Sequence, residues 1–131
     1  MALSVTTFLM FDSNAEEAMR FYVSLFEGSE IHHVERWGPG EPGAEGRVKQ
    51  ARFTLGGHEL RCFDSPVKHA FTFTPAISLF VDCADEAELD RAFQQLSTGG
   101  AVLMELGGYG FSRKFGWVND RFGVSWQLNL P

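Results

Sequence analysis

Residues 5–11 run apolar, β-branched and aromatic, the make-up of a strand, until Asp12-Ser13-Asn14 breaks the run. From there Ala15, Ala18, Met19, Tyr22, Leu25 and Phe26 recur at threes and fours, the period of a helix with one buried face, and Gly28 ends it. Ser13 and Glu16 stand at capping-box spacing for that helix. Residues 31–37, 48–55 and 60–63 supply three more strands, parted by the loop Gly38-Pro39-Gly40-Glu41-Pro42-Gly43 and the turn Gly56-Gly57.

After Ser65-Pro66 the order returns. Residues 77–81 read as a strand, Asp82 breaks it, and a helix from about Asp85 carries Leu89, Ala92, Phe93 and Leu96 on one face before Gly99-Gly100. Strands at 102–106, 113–118 and 124–130 follow, with the turn Asp120-Arg121-Phe122-Gly123 before the last. Seventy residues separate Leu9 from Leu79 and 71 separate Gly28 from Gly99, so one strand-helix-three-strand motif is used twice. The expected fold is α+β: a single domain of tandem βαβββ modules, about 1–66 and 67–131, whose eight strands form a curved sheet around a cleft while the helices cover the convex sides. In the last strand Val124, Trp126, Leu128 and Leu130 alternate with Ser125, Gln127 and Asn129, and the polar set is expected to face the cleft.

Composition narrows the partners. With 131 residues, 44% hydrophobic and 21% charged, the chain can bury enough apolar surface to fold as one domain. A net charge of -6 repels phosphate backbones and anionic lipid, so neither nucleic acid nor a membrane surface is expected as partner. No apolar run approaches the roughly 20 residues of a membrane helix, and Met1-Ala2-Leu3-Ser4 lacks the make-up of a secretion signal, so a cytoplasmic location is expected. Cys62 and Cys83 have neither the number for a disulfide framework nor the spacing of a zinc site, and are read as buried free thiols. Thirteen Phe must fill a core or wall a hollow for an organic ligand.

Four words occur in order along the chain: Phe21-Tyr22-x3-Phe26-Glu27-Gly28-Ser29-Glu30-Ile31, Ala51-x-Phe53-x-Leu55-Gly56-Gly57, Ile77-Ser78-Leu79-Phe80-Val81 and Asp120-Arg121-Phe122-Gly123-Val124-Ser125-Trp126-Gln127. Together with the doubled layout they resemble the PhnB-like branch, often labelled demethylubiquinone methyltransferase, of the vicinal oxygen chelate superfamily of glyoxalase I, extradiol dioxygenases and antibiotic-resistance proteins. The resemblance implies a curved sheet and a homodimer. It also implies four positions, on the first and last strands of each half, where metal-dependent members converge on one divalent ion. Here those positions fall at Thr7, Arg61, Ile77 and Gln127. The set offers no anionic or imidazole donor and includes a guanidinium that repels a cation, so no metal and no cofactor is expected. Adjacent His32 and His33 are expected on opposite faces of their strand, and so unable to chelate together.

The functional expectation is a small organic ligand, anionic if Arg61 faces the cleft, held without a metal by Thr7, Arg61, Gln127 and Asn129. Two alternatives stand beside it: a lyase, isomerase or dioxygenase-type enzyme of the glyoxalase superfamily, and a dimeric assembly or regulatory module with no ligand pocket. The stretch from Val102 to Gly110 superficially resembles the glycine loop that cradles adenosylmethionine, but strand, not helix, is expected after it, so a methyltransferase using that cofactor is not. Glu16, Glu17, Glu86 and Glu88 are expected on solvent faces of helices, and Asp64 and Asp120 are expected to hold turns by accepting backbone hydrogen bonds.

Overall fold

The alternation of apolar residues is realised in ten elements of a computed structural model that describes every residue from Met1 to Pro131. A first compact unit, Met1–His69, holds β1 (Thr7–Phe11), α1 (Ala15–Leu25), β2 (Glu30–Arg36), β3 (Val48–Leu55) and β4 (His58–Asp64). A second, Ala70–Pro131, holds β5 (Leu79–Asp82), α2 (Glu86–Ser97), β6 (Ala101–Gly107), β7 (Lys114–Asn119) and β8 (Ser125–Leu130). The strand orders are β1-β4-β3-β2 and β5-β8-β7-β6, with the first strand of each unit parallel to the last and the other pairs antiparallel. The architecture is α+β as expected, two helices with eight strands, the strands lying in two mixed four-stranded sheets. Parallel pairing of first and last strands requires a crossover, and the helix belongs to it.

Each helix covers one face of its own sheet. In the first unit Ala15, Ala18, Met19, Tyr22 and Leu25 of α1 are buried together with Leu9, Phe11, Ala51, Phe53, Leu60 and Cys62 of the strands. In the second, Leu89, Ala92, Phe93 and Leu96 of α2 are buried with Val118, Trp126, Leu128 and Leu130. Gly116 sets the distance between α2 and β7, because a Cβ there would stand 2.5 Å from Phe93 Cε2 and 2.9 Å from Leu106 Cδ2. Gly28 and Gly99, just past the two helices, take φ of 73° and 75°, a region that side chains with a Cβ disfavour.

The helix starts are secured differently. Asn14, not Ser13, precedes α1 and makes no side-chain cap. Its place is taken by Asp64, 3% exposed, whose Oδ1 accepts from Ala15 N at 2.9 Å while Oδ2 accepts from Val48 N at 3.0 Å. One carboxylate therefore ties the end of β4 to the start of α1 and of β3, a longer reach than the turn expected for it. At α2 the Asp85 side chain accepts from Glu88 N at 2.8 Å and Glu88 Oε1 accepts from Ala84 N at 2.9 Å. Asp120 does hold its turn, accepting on Oδ1 from Phe122 N at 2.8 Å and Val124 N at 3.0 Å, and its Oδ2 also takes the indole N–H of buried Trp126 at 2.9 Å. Glu16 is only partly exposed: it accepts from Arg36 at 2.6 Å and from Arg20 at 2.9 Å, joining α1 to β2. Arg36 and then Arg20 pull its pKa from 4.5 down to about 2.

Asp64→Ala and Asp120→Ala each strand two buried donors, Ala15 N and Val48 N in the first and Val124 N and the Trp126 indole in the second, and each should lower unfolding free energy by about 2–4 kcal/mol in urea titrations. The Glu16 ion pairs are fully present above pH 4.5, where the unfolded carboxyl is already ionised, and fade as pH falls towards 2. Glu16→Gln should therefore flatten the fall of melting temperature across that acid window and leave its slope at neutral pH unchanged.

Candidate functional site

With Leu60, Cys62 and Asp64 of β4 turned under α1, the alternating Glu59, Arg61 and Phe63 face the other way. Strand pairing extends this open face into a row: Phe8 of β1 lies opposite Arg61, Arg61 opposite Arg52 of β3, and Arg52 opposite His33 of β2. The Phe8 and Phe63 rings pack with centroids 5.2 Å apart, and Phe8 is 59% exposed. The two histidines differ from expectation. A β-bulge between Ile31 and His33 breaks the alternation, so that His33 pairs with Arg52 while His32 Nε2 meets the Thr54 hydroxyl at 3.1 Å. Arg52 and Thr54 share a face, and both imidazoles therefore lie on it.

In the second unit Trp126, Leu128 and Leu130 of β8 go under α2, and Ser125, Gln127 and Asn129 stand on the open face with Phe115, Trp117 and Asn119 of β7 and Phe80 of β5. A hydrogen-bonded chain crosses it. The Trp117 indole donates to Ser125 Oγ at 2.9 Å, Ser125 and Ser78 hydroxyls meet at 2.7 Å, and the Gln127 amide donates to Ser78 Oγ at 3.2 Å. Asn129 donates to Asp82 at 2.8 Å. Phe80, Tyr109 and Phe111 surround Phe115 at centroid distances of 6.2, 6.1 and 5.0 Å, and Phe80 and Phe111 are more than half exposed.

Two buried side-chain polar atoms have no hydrogen-bond partner, Arg61 Nε and Asn119 Oδ1. One lies on each open face.

Of the residues expected to contact a ligand, Arg61 stands on the open face of the first unit, and Gln127 and Asn129 on that of the second. Thr7 does not join Arg61. It shares the helix side with Leu9 and Phe11, and its hydroxyl meets His58 Nε2 at 2.9 Å. The residue beside Arg61 is Phe8, and its counterpart beside Gln127 is Phe80, not Ile77. At Thr7 a count off by one reverses the face of a strand residue, whereas Ile77 lies ahead of β5, three residues from Phe80; large aromatic residues in first strands that leave other apolar neighbours buried were the available signal. A separate groove of about 440 Å³ lies at the start of α1, lined by Ser13, Asn14, Glu16, Arg47 and Asp64 among others. Several of its polar groups are already held: Glu16 by Arg36 and Arg20, Ser13 O by Arg47, and Asp64 by two backbone N–H groups.

The profile of the 3-demethylubiquinone-9 3-methyltransferase family matches residues 3–129. The chain belongs to this family. The PhnB protein of Bacillus cereus is 57% identical over 98% of this chain and 99% of its own, with a TM-score of 0.95. A glyoxalase-related enzyme of Fulvimarina pelagi, 12% identical over 98% of this chain and 89% of its own, superposes with a TM-score of 0.64. The genomically encoded fosfomycin resistance protein of Listeria monocytogenes, solved with Mn(II) and a dihydroxypropylphosphonic acid, is 9% identical over 100% of this chain and 94% of its own, with a TM-score of 0.63. These two show the glyoxalase and bleomycin-resistance fold. No curated protein matches the chain.

The family's name does not follow from its glycines here. Gly107-Gly108-Tyr109-Gly110 links antiparallel β6 to β7, and no helix N-terminus follows it to receive a cofactor's charged end. The residues at first-strand and last-strand positions on the open faces, Phe8 and Arg61 in one unit and Phe80 and Gln127 in the other, do not suit a divalent ion either. Two are hydrocarbons, one is a cation, and the fourth offers a single neutral amide oxygen, too few donors for such an ion. No three His, Cys, Asp or Glu side chains come together as metal ligands.

Both cysteines are buried and unpaired. Burial, with Asp64 close to Cys62 and Glu88 close to Cys83, pushes each thiol up to about 12. Ellman's reagent at mildly alkaline pH should leave both unmodified in the folded protein and label both in guanidinium chloride; rapid labelling of folded protein would mean that either site opens readily.

Proposed function

We propose that this protein binds small organic molecules without a metal on the helix-free sheet surface of its units, at Arg61 in the first and at Gln127 and Asn129 in the second. The observation that carries the reading is the coincidence of unsatisfied polarity with exposed aromatic surface. A buried donor or acceptor left without a partner costs about 1–3 kcal/mol, and here the donor of Arg61 and the acceptor of Asn119 both lie on faces that carry open Phe rings. A ligand with polar groups on an apolar frame relieves such a cost on the face that holds it. The arrangement of Ser78, Ser125 and Trp117 behind Gln127 orients its amide, as a binding group requires.

A homodimer in the cytoplasm is part of the same proposal. Val5, Phe71 and Ile77 are large apolar side chains left exposed, which suits a second copy, and two unpaired thiols suit a reducing compartment. No helix is long and apolar enough to cross a membrane.

A thermal-shift screen of neutral and anionic aromatic compounds should find ligands whose stabilisation grows with concentration and saturates in affinity plots. Gln127→Leu, which keeps the side chain's bulk, should weaken the best of them by about fivefold or more, the scale of one lost hydrogen bond. A screen without any saturable ligand, or equal affinity in the variant for every ligand found, would remove the second unit's face from the binding role.

A further inference from the structure

We propose that Arg52 and Arg61 together seat the oxyanion of an organic ligand, a carboxylate or a phosphate, with its apolar part on Phe8 and Phe63. The inference rests on the ligand-binding reading above and names the ligand's charge and the residues that choose it.

The pairing of β3 with β4 sets Arg52 directly opposite Arg61 on the same face. Like charges in that position repel, since the Cβ atoms of directly opposed residues stand only about 5 Å apart. Elsewhere, where cations gather, a carboxylate lies between them, as Glu16 does between Arg20 and Arg36. The chain has 17 Asp and Glu for 11 Lys and Arg, and other cations are closely paired: Arg36 with Glu16 at 2.6 Å, Arg20 with Glu16 at 2.9 Å, and Lys114 with Asp90 at 2.7 Å. The opposed arginines have one acid between them, Glu59, and it reaches only Arg52, at 3.5 Å with both side chains well exposed. Arg61 makes no ion pair, and its Nε–H is buried without an acceptor.

A guanidinium presents five N–H donors in a rigid plane and binds carboxylate or phosphate through two of them at a time. Two such forks side by side, one with an unused inward donor, fit an anion that bridges them. His33, opposite Arg52 at the far end of the row, adds a further donor, and Phe8, opposite Arg61 at the near end, begins an aromatic wall that Phe63 continues. The row therefore runs from polar to apolar across four strands, the order of an organic acid with its charged end towards β3 and its ring towards β1. An anion also removes the repulsion that the empty pair carries, so binding and stability rise together.

The test is titration of the full chain with benzoate, phenyl phosphate and, as neutral control, benzyl alcohol. Binding is read by calorimetry and by the Nε–H resonances of the arginines, in the wild type and in Arg52→Gln and Arg61→Gln. Both anions should shift the two Arg resonances saturably, and each substitution should weaken them by about tenfold or more while changing benzyl alcohol by less than about twofold. Without ligand, both variants should melt no lower than the wild type, because a repulsion has been removed; lower melting of both would make the pair structural and overturn the proposal. Unchanged anion affinity in both variants would overturn the seat and leave the ligand-binding reading standing. Failure of all three compounds, and of the wider screen, would overturn both.

Discussion

A four-stranded sheet has two faces, and each unit of this protein supplies a single helix. Everything else follows from that shortage. The helix must cover the face that buries most apolar surface, so Leu9, Phe11, Ala51, Phe53, Leu60 and Cys62 go under α1, and Val118, Trp126, Leu128 and Leu130 go under α2. The opposite face is left with the alternate residues of the same strands, whose character is free of the demands of that core. There the chain places what a core excludes: opposed arginines, a serine pair, amides, and Phe rings that stay open.

The units repeat each other in topology but not in chemistry. Strand order, parallel pairing and helix position coincide, yet a buried carboxylate secures each unit at a different joint. Asp64 holds the beginning of α1 and β3 from the end of β4, whereas Asp120 holds the turn into β8 and the Trp126 indole. The open faces diverge in the same way. At equivalent last-strand positions, each next to a first-strand Phe, one has Arg61 and the other Gln127. A common backbone thus presents opposed arginines in one copy and a hydrogen-bonding surface of amides and hydroxyls in the other, as expected when packing constrains only the helix side.

The family relationship and the site chemistry carry different information. The match over residues 3–129 and the likeness to the Bacillus cereus protein establish family and fold, while a glycine loop that cradles a cofactor is one that opens a helix. In this chain the glycines serve a hairpin between β6 and β7. Fold hosts many activities, so side chains on the uncovered faces decide the matter.

The sequence by itself determined the doubled strand-helix-three-strand order, the two helices with their buried residues, and the alternation along β8, because these depend on periodicities of 3.6 and 2 that neighbouring residues express locally. It also carried Gln127 and Asn129 to the uncovered side, since they alternate with apolar neighbours in β8, but left the face of Arg61 open. Only the tertiary structure decided which cross-strand residues meet. Phe8 took the place expected for Thr7 because pairing with β4, not counting from a distant motif, sets the face; the bulge at His32 turned both imidazoles to one side because an extra residue in a ladder is invisible in composition. Asp64 became the anchor of α1, and Arg52 the neighbour of Arg61, through contacts between positions far apart in the chain or across a register that local pattern leaves open.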